Sequence, residues 1–508
     1  WGAIIVAATP FIAILWVMGI ILFLFGSFSF LTIIVTTIIL VIAFAESLFF
    51  IFNWLAYWRD GMDPYKAVDE TVRVVGPASA LTMLTTLVSF ASLSLTQGQG
   101  IQEFSQAGTI ASLTNFLCLM TFLPLLLKLA VRLGFKAPKP SFVISAPIPV
   151  AWYIATKFGR LLAVLAIGVT ILLFVPYFLI QPHFSFQDFT PKSSVAVAAA
   201  ESIDDSTGGA APIYISVPLK QSDPNIGDED FKLVQKVHQI VEKYIPGENK
   251  VVSAAAASYY EGTGFTRQQI LAVVGDLKSR FVTPDGKEAL ITGFLPPLIE
   301  SDEIIKLVDT LNTEIKAAGV EGAEVGGFRV MTTFATDNIV RSLQLDLTIS
   351  VLVNLFLIAF AFRSFRVATA TAIPNLFPIL GTEAWLWMSG SGLQLTTVLA
   401  LTIAFGIAVD DTTHFLSHYL HSRREEGRDH RDAIRHTMER IGGAIVATTL
   451  ILCSGTAIVM FSELPQVALF GTLFVITLAL ALLGDVFILP ALLVAGGRFF
   501  HPLGGVKK

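Results

Sequence analysis

Long apolar stretches alternate with short polar loops along most of this chain. A helix needs about 20 mostly apolar residues to cross a hydrocarbon layer of about 30 Å. Stretches that meet this need lie at about 3 to 25, 31 to 57, 77 to 96, 105 to 128, 161 to 181, 345 to 363, 368 to 389, 394 to 420, 441 to 461 and 466 to 496. The pattern therefore predicts about ten membrane-spanning helices.

Residues 182–343 differ from the rest, since they carry charges, proline and glycine and no spanning stretch. Hydrophobic periodicity predicts the order strand, helix, strand twice, at 211–219, 228–244 and 251–257 and again at 288–295, 301–319 and 324–334. Two such units are typical of split βαβ, ferredoxin-like subdomains. The predicted fold class is a polytopic α-helical membrane protein with an α+β ferredoxin-like domain.

Composition supports a membrane protein. The 508 residues are 54% hydrophobic and 14% charged, with a mean hydropathy of +0.70, whereas soluble proteins are about 25% charged. Cys118 and Cys453 both lie in apolar stretches and do not imply a disulfide framework. We expect no cofactor, no metal and no nucleic-acid partner.

Basic residues orient the chain, because cytoplasmic loops collect lysine and arginine. The loop after residue 420 holds Arg423, Arg424, Arg428, Arg431, Arg435 and Arg440. Counting helices puts this loop and the other basic loops on one face, so residues 182–343 lie on the opposite, non-cytoplasmic side. The predicted domains are first-repeat membrane helices (1–128), a cytoplasmic linker (129–160), a membrane helix (161–181), the α+β domain (182–343), second-repeat membrane helices (344–498) and a cytoplasmic tail (499–508).

Asp410 and Asp411 stand side by side in the middle of an apolar stretch. One acidic residue at the centre of a membrane helix costs about 2.5 to 3.5 kcal/mol to insert, so ionisable residues at such sites usually relay protons, bind ions or contact a substrate. A carboxyl group removed from water is harder to ionise, and an adjacent acid adds to this. The pair predicts a proton-binding site, although acids merely neutralised by partners in the bundle are the alternative.

An internal repeat extends this prediction to the first half of the chain. The segment from Ala43 aligns with the segment from Ala408 with one gap, which brings Glu46 over Asp411 and Thr82 over Thr448. Parallel repeats are a mark of transporter folds. Glu46 is therefore a third candidate for the relay, and the alternatives are a purely structural hydrogen bond or a position nearer the membrane interface.

Several neighbours could support the relay. His414 lies three residues after Asp411 and four after Asp410, so it shares their helix face. Thr82, Thr448 and Thr449 lie on hydroxyl-rich helices that the repeat places opposite the acids, although hydroxyl residues also serve simply to pack membrane helices. The chain contains no catalytic triad order and no phosphate-binding glycine loop, so we do not expect an enzyme.

The sequence resembles the resistance-nodulation-division (RND) superfamily, in particular the MmpL-like and hopanoid-type exporters of lipids and other hydrophobic molecules. The resemblance is carried by IPNLFPIL (373–380), GIAVDDTTHFL (406–416), the arginine-rich loop and GTLFVITLALALLGDVFILPALL in the last helix. Members have twelve helices in two repeats, so residues 1–128 resemble helices three to six and 161–496 resemble helices seven to twelve. The resemblance implies an N-terminal truncation that removes the first two helices and the first periplasmic domain. The acidic pair lies on the helix that resembles the tenth, whereas the multidrug branch has its pair on the fourth.

The resemblance implies export driven by the proton motive force across a bacterial inner membrane, with the acids as relay and the periplasmic domain as substrate route. Residues Phe189, Pro191 and Ser193, where the domain joins the membrane, are the candidates for that route. The expected partners are protons, a hydrophobic or lipid substrate, the membrane, a periplasmic carrier and further copies in a dimer or trimer. Two alternatives stay open: a sterol-sensing or receptor-like protein without turnover, and an accessory of protein export.

Overall fold

The computed structural model describes residues 2–96, 98–137, 146–183, 190–191, 193–207, 209, 211–220, 227–245, 250–255, 281–296 and 299–500. The described helices are α1 (Gly2–Phe25), α2 (Phe30–Arg59), α3 (Pro64–Ser92), α4 (Gln99–Arg132), α5 (Pro147–Leu179), α6 (Val195–Thr207), α7 (Asp228–Tyr244), α8 (Ser301–Ala317), α9 (Phe328–Ala361), α10 (Phe365–Ser389), α11 (Leu395–Arg424), α12 (His430–Ala457), α13 (Pro465–Leu483), α14 (Leu489–Ala495) and α15 (Gly497–Phe500). The described strands are β1 (Ala211–Pro218), β2 (Val251–Val252), β3 (Glu288–Leu295) and β4 (Glu324–Gly326).

The chain divides into two compact units. A membrane unit comprises Trp1–Pro182, Ile339–Ser462 and Val467–Lys508, and an α/β unit comprises His183–Asn338 and Glu463–Gln466. Nine helices of the described residues are long and apolar enough to cross a membrane. Helix α10 fills the predicted stretch at 368 to 389 but is not among the nine, because Pro374, Pro378 and Glu383 lower its hydropathy. The predicted fold class, a polytopic helical protein with an α+β domain, is confirmed.

Several membrane helices extend beyond their apolar stretches. Helix α3 begins at Pro64, because the side chain of Asp63 accepts hydrogen bonds from the backbone N–H groups of Tyr65 and Lys66, both at 3.1 Å, and proline is favoured at the first helical position. Helix α4 continues to Arg132 and α5 begins at Pro147. The linker predicted at 129–160 is therefore mostly helical within the described residues, and the predicted tail beyond residue 500 lies outside them.

Helix α11 lies at the centre of the membrane unit. In its most apolar 18-residue window 89% of the residues are buried, against 17% to 61% in the other eight spans. Its neighbours are α3, α10 and α12. A helix buried on all sides shows every side chain to another helix, so the acids on α11 face protein and not lipid.

Two glycines allow unusually close helix contacts. A Cβ atom at Gly108 of α4 would lie 2.0 Å from the Phe90 ring of α3. A Cβ atom at Gly484 would lie 2.9 Å from the carbonyl oxygen of Pro374 on α10. Small residues let membrane helices approach to backbone contact, and here they fix α3 against α4 and the last helix against α10.

The last predicted span, 466 to 496, is interrupted. Residues Gly484–Ile488 form a π-helical turn between α13 and α14. Such turns insert one extra residue into a helix and are frequent at functional sites. In this chain the turn contains a buried carboxyl group, Asp485.

In its described residues the α/β unit has a four-stranded antiparallel sheet with the order β2-β3-β1-β4. Strand β1 pairs with β3, with Ile215 opposite Ile291, and with β4, with Tyr214 opposite Gly326. Apolar residues of α7 and α8, among them Val234 and Leu311, pack against these strands. The two predicted strand–helix–strand halves therefore share one ferredoxin-like sheet and are not separate subdomains.

The strand predicted at 324–334 is wrong beyond its first three residues. Gly327 has a positive φ of 120° and ends β4, and α9 begins at Phe328. Val330 and Phe334 both pack into the core of the unit, and their spacing of four residues fits a helix and not a strand. The strand predicted at 251–257 has only Val251–Val252 as strand among its described residues.

Replacing Gly108 with alanine tests the contact between α3 and α4. Because the new methyl group would collide with the buried Phe90 ring, we expect Gly108→Ala to destabilise the fold by about 1–3 kcal/mol. Gly100 lies on the same helix, and its nearest neighbour would be 3.5 Å from a new Cβ, so Gly100→Ala is the matched control. Loss of monodisperse protein on heating measures the effect, and equal stability of the two variants would contradict the contact.

Candidate functional site

Three predicted relay residues surround one small cavity in the membrane unit. Glu46 of α2 and Asp410 and Asp411 of α11 line it, together with Ile42, Ala45, Phe49, Ile407, His414, Thr448 and Leu452. Its volume is about 20 Å³, which is enough for about one water molecule. The first-half acid and the second-half pair, which the repeat aligned in sequence, thus share one site.

Glu46 is held by the neighbouring helix. It is 7% exposed, and its Oε1 accepts a hydrogen bond of 3.1 Å from the hydroxyl group of Thr82 on α3. Its Oε2 has no hydrogen-bond partner within the described residues. The carboxyl group therefore has one fixed oxygen and one oxygen available for a proton or a water molecule.

The two aspartates differ in their surroundings. Asp410 is 7% exposed, its Oδ1 has no partner among the residues that the structure describes, and it lies close enough to Glu46 to interact electrostatically. Asp411 is half-buried and lies near Thr449 of α12. Two carboxyl groups on α11 and one on α2 therefore approach each other without a compensating charge.

No basic side chain can enter the site from the helices that form it. Lysine and arginine are absent between residues 31 and 58, 74 and 127, 367 and 422, and 441 and 497. A buried carboxylate without a cation is costly, so such a group keeps a proton or binds a cation. Within the described residues no group of three histidine, cysteine or acidic side chains could hold a metal ion.

His414 is buried beside the acids and stacks on Phe49, with ring centroids 3.9 Å apart and planes inclined at 29°. Its Nδ1 has no hydrogen-bond partner in the described part of the chain. His418, one turn further along, is also buried, with its ring 6.4 Å from that of Phe49. The stack fixes the His414 ring at the wall of the cavity.

The threonines predicted as support have different roles. Thr82 donates to Glu46, as described above. The hydroxyl group of Thr448 lies at the cavity but donates to the carbonyl groups of Ala444 and Ile445 in its own helix, at 3.0 and 2.9 Å. The hydroxyl group of Thr449 likewise donates to Ile445, at 2.9 Å.

The predicted substrate route is described only in part. Pro191 is half-buried and Ser193 is exposed, whereas Phe189 lies outside the described residues. These three residues remain candidates from the sequence.

Sequence analysis missed a group of polar residues on the other side of α11. Thr412 contacts both Asn375 of α10 and Asp485 in the π-helical turn, and Glu383 of α10 is fully buried with neither carboxyl oxygen bonded to another described residue. The signal was present, because Asn375 and Asp485 lie in the two segments IPNLFPIL and LLGDVFIL that carried the resemblance. A single acid near the end of a long apolar stretch gave no reason to connect it with residue 412.

A second missed group joins α3 to α9. The Thr96 hydroxyl group donates to Asp346, at 2.5 Å. Ser350 and Asn354, one and two turns further along α9, both donate to the hydroxyl group of Ser89, at 3.1 Å. These buried contacts continue a line of hydroxyl residues on α3 that ends at Thr82, which donates to Glu46 of α2.

Comparison with protein families gives two matches. Residues 188–508 match the model of the MMPL family, and residues 2–141 match the model described as the sterol-sensing domain of SREBP cleavage-activation. Together the two matches span nearly the whole chain.

Individual proteins give distant similarities. The membrane protein MJ1562 of Methanocaldococcus jannaschii is 20% identical over 339 residues, which are 64% of this chain and 87% of that protein. The probable transport protein MmpL11 of Mycobacterium leprae is 21% identical over 467 residues, which are 85% of this chain and 42% of that protein. The crystal structure of SecDF from Thermus thermophilus, a translocon-associated membrane protein, superposes with a TM-score of 0.58 and 16% identity, over 97% of this chain and 59% of that chain. The chain thus spans less than two thirds of MmpL11 and of SecDF, and the resemblance to the RND superfamily is confirmed.

The cost of the buried acids predicts how neutral variants behave. Glutamine at position 46 and asparagine at position 410 keep the shape of the acids and remove groups that are costly to bury. We therefore expect Glu46→Gln and Asp410→Asn to be neutral, or to stabilise the protein by about 1 kcal/mol. Thermal loss of monodisperse protein in detergent measures this, and a marked loss of stability would mean that the carboxyl groups have stabilising partners.

Proposed function

Because this chain belongs to the MMPL family of the RND superfamily, we propose that it is a transporter driven by the proton motive force. In this proposal it exports lipids or other hydrophobic molecules from the inner membrane or periplasm of a bacterium. It is a multi-pass membrane protein of a transporter class, and the driving ion, the substrate and the location are the proposed parts.

One observation carries the proposal: Glu46, Asp410 and Asp411 line one small cavity, and the stretches of α2, α11 and α12 beside it contain no lysine or arginine. Burying acids in such a place is costly unless they bind and release a proton or another cation. The cavity of about 20 Å³ holds about one water molecule, and one water molecule is enough to deliver a proton.

Asp411 is the proposed titrating residue. It is the more exposed member of the pair, so a proton from water reaches it first. Glu46 and Asp410 are then its neighbours, and their charge depends on whether Asp411 is protonated. Thr82 keeps Glu46 in place. Because α11 packs against helices on all sides, a change of charge on Asp411 alters contacts throughout the bundle.

The proposed substrate class follows from the family and not from a binding pocket. The α/β unit and the segment with Pro191 and Ser193 form the proposed route, and the partners are a hydrophobic molecule, a periplasmic carrier and further copies of the chain. No catalytic step is part of the proposal.

A role in protein export is the second candidate, since SecDF superposes over 97% of this chain. A sterol-sensing receptor is the third, since residues 2–141 match that model. A deletion strain separates the first two, because lipid export changes the lipids of the outer layers and protein export changes the secreted proteins. A receptor without turnover needs no titrating acid.

Cysteine labelling tests the proposed orientation. We expect Asp309→Cys, in the α/β unit, to react with an impermeant thiol reagent in cells with a permeabilised outer membrane, and Asp432→Cys, beside the arginine-rich loop, to react only after the inner membrane is opened. Cys118 and Cys453 are first replaced by serine. If Asp432→Cys reacted first and Asp309→Cys only after the inner membrane was opened, the proposed orientation would be wrong.

Transport by an Asp411→Asn variant tests the relay. Asparagine cannot bind and release a proton, so we expect proton-driven export to fall by at least about 100-fold, as for loss of a positioned acid–base group. The measurement is movement of a fluorescently labelled phospholipid in proteoliposomes under an imposed pH gradient. The variant should remain monodisperse in detergent.

Three further variants complete this test. Asp69→Asn changes an exposed acid of α3 and is expected to transport like the wild type. Glu46→Gln should have a smaller effect than Asp411→Asn if Glu46 only supports the site. Wild-type export by a folded Asp410→Asn, Asp411→Asn double variant would contradict the relay.

A further inference from the structure

Asp485 is a buried carboxyl group that the proposed relay does not use. It is 2% exposed and lies in the π-helical turn Gly484–Ile488. Its Oδ1 lies 2.5 Å from the hydroxyl oxygen of Thr412, and Thr412 follows Asp411 directly in α11. The extra residue of a π turn re-aims the side chains beside it, and here Asp485 points at the helix that carries the acidic pair.

If Asp485 is ionised, the hydroxyl group of Thr412 faces two acceptors and can donate to only one of them. The hydroxyl oxygen of Thr412 lies 2.8 Å from Asn375 Oδ1 and 2.5 Å from Asp485 Oδ1. Both of these oxygens accept hydrogen bonds, but a hydroxyl group has a single hydrogen to donate. If Asp485 carries a proton, it donates to Thr412 and Thr412 donates to Asn375, so that both of these short contacts are satisfied, and only the longer contact of 3.4 Å to the Ala408 carbonyl group is left without a hydrogen.

The opposite arrangement needs only a turn of the Asn375 amide group. With Asp485 ionised, Thr412 donates to the carboxylate, and Asn375 Nδ2 donates to the oxygen of Thr412. In the structure Asn375 Nδ2 has no hydrogen-bond partner among the described residues although Asn375 is 2% exposed. The two protonation states of Asp485 therefore require opposite orientations of the Asn375 amide group.

The charges around Asp485 favour a proton over a fixed ion pair. The turn packs against α5, α10, α11 and α14. Lys157 and Arg160 of α5 are exposed, α10 contributes Glu383 and a single arginine near its start, Arg366, and α14 contains no charged residue. On α11, Asp411 is close enough to act on Asp485 electrostatically, so the two groups disfavour each other's negative charge.

We propose that Asp485 is a second proton-binding carboxyl group, joined to α11 by a hydrogen-bond chain through Thr412 to Asn375 whose direction follows its protonation. The proton comes from water and returns to water. Protonation converts the carboxylate into a carboxylic acid, reverses the donor and acceptor roles of Thr412 and turns the Asn375 amide. Thr412 and Asn375 are positioning residues for this site.

The proposal deepens the proposed function and rests on it only for the link to transport. Proton binding by Asp485 is measured without any substrate, by infrared difference spectra of the purified protein between acid and alkaline pH. Protonated and ionised carboxyl groups absorb at different frequencies. We expect one pH-dependent carboxylic acid band to be missing in Asp485→Asn and a different one in Asp411→Asn.

Thr412 variants separate positioning from simple packing. Thr412→Val keeps the size and removes the hydroxyl group, so we expect the Asp485 band to shift and transport of the labelled phospholipid to fall about tenfold, the effect of losing one hydrogen bond to a charged group. Thr412→Ser restores the hydroxyl group and should restore both. Thr477→Val is the matched control, because Thr477 of α13 forms a buried hydroxyl contact of 2.8 Å with Thr382 of α10 without a carboxyl group.

The outcomes are distinguishable. If Asp485→Asn keeps every pH-dependent band and exports at the wild-type rate, Asp485 binds no proton and the proposal is overturned. If Thr477→Val lowers transport as much as Thr412→Val, the hydroxyl group acts only in packing, which also contradicts it. If the Asp485 band is present but the wild type moves no lipid under a pH gradient, the proposed function fails and the proton site stands.

Discussion

A carboxyl group that leaves water for a helix bundle loses solvation worth several kcal/mol, unless it is paired or neutral. In this protein Glu46, Asp410, Asp411 and Asp485 all meet that cost, and the segments that carry them contain no lysine or arginine. Their positions on three different parts of the bundle mean that α2, α11 and the last helix must pack around carboxyl groups that have no cationic partner on these segments. Much of the polar architecture described above follows from this constraint.

The hydroxyl groups of α3 show how the cost is reduced. Thr82 donates to Glu46, and Ser89 receives hydrogen bonds from Ser350 and Asn354 of α9. Each of these contacts joins two helices without introducing a charge. The line of hydroxyl groups therefore gives Glu46 a polar neighbour and joins α2, α3 and α9.

Much of the fold and of the site could be predicted from the sequence, because both rest on local signals. Apolar stretches located the helices, and the cost of Asp410 and Asp411 marked the site. The repeat placed Glu46 beside them, which hydropathy alone could not do. The boundaries were less predictable, since caps such as Asp63 and breaks such as Gly327 override the apolar pattern.

The missed residues depend on contacts that are distant in sequence. Thr412 and Asp485 are separated by 73 positions, and their contact requires the π-helical turn and the close approach of Gly484 to Pro374. Neither feature has a periodic signal in the sequence. Glu383 is a similar case. In the sequence it lies among tryptophan and proline residues, as in a segment at the membrane interface, and only the position of its helix shows that it is fully buried.

Asp411 and Thr412 are neighbours on α11, so their side chains point about 100° apart around the helix. Asp411 faces the cavity with Glu46, and Thr412 faces α10 and the π-helical turn. A rotation or shift of α11 that changes one of these contacts must change the other, because a helix turns as a rigid body. Helix α11 therefore connects the two carboxyl groups mechanically as well as electrostatically, and in the proposed relay the protonation of either one bears on the packing around both.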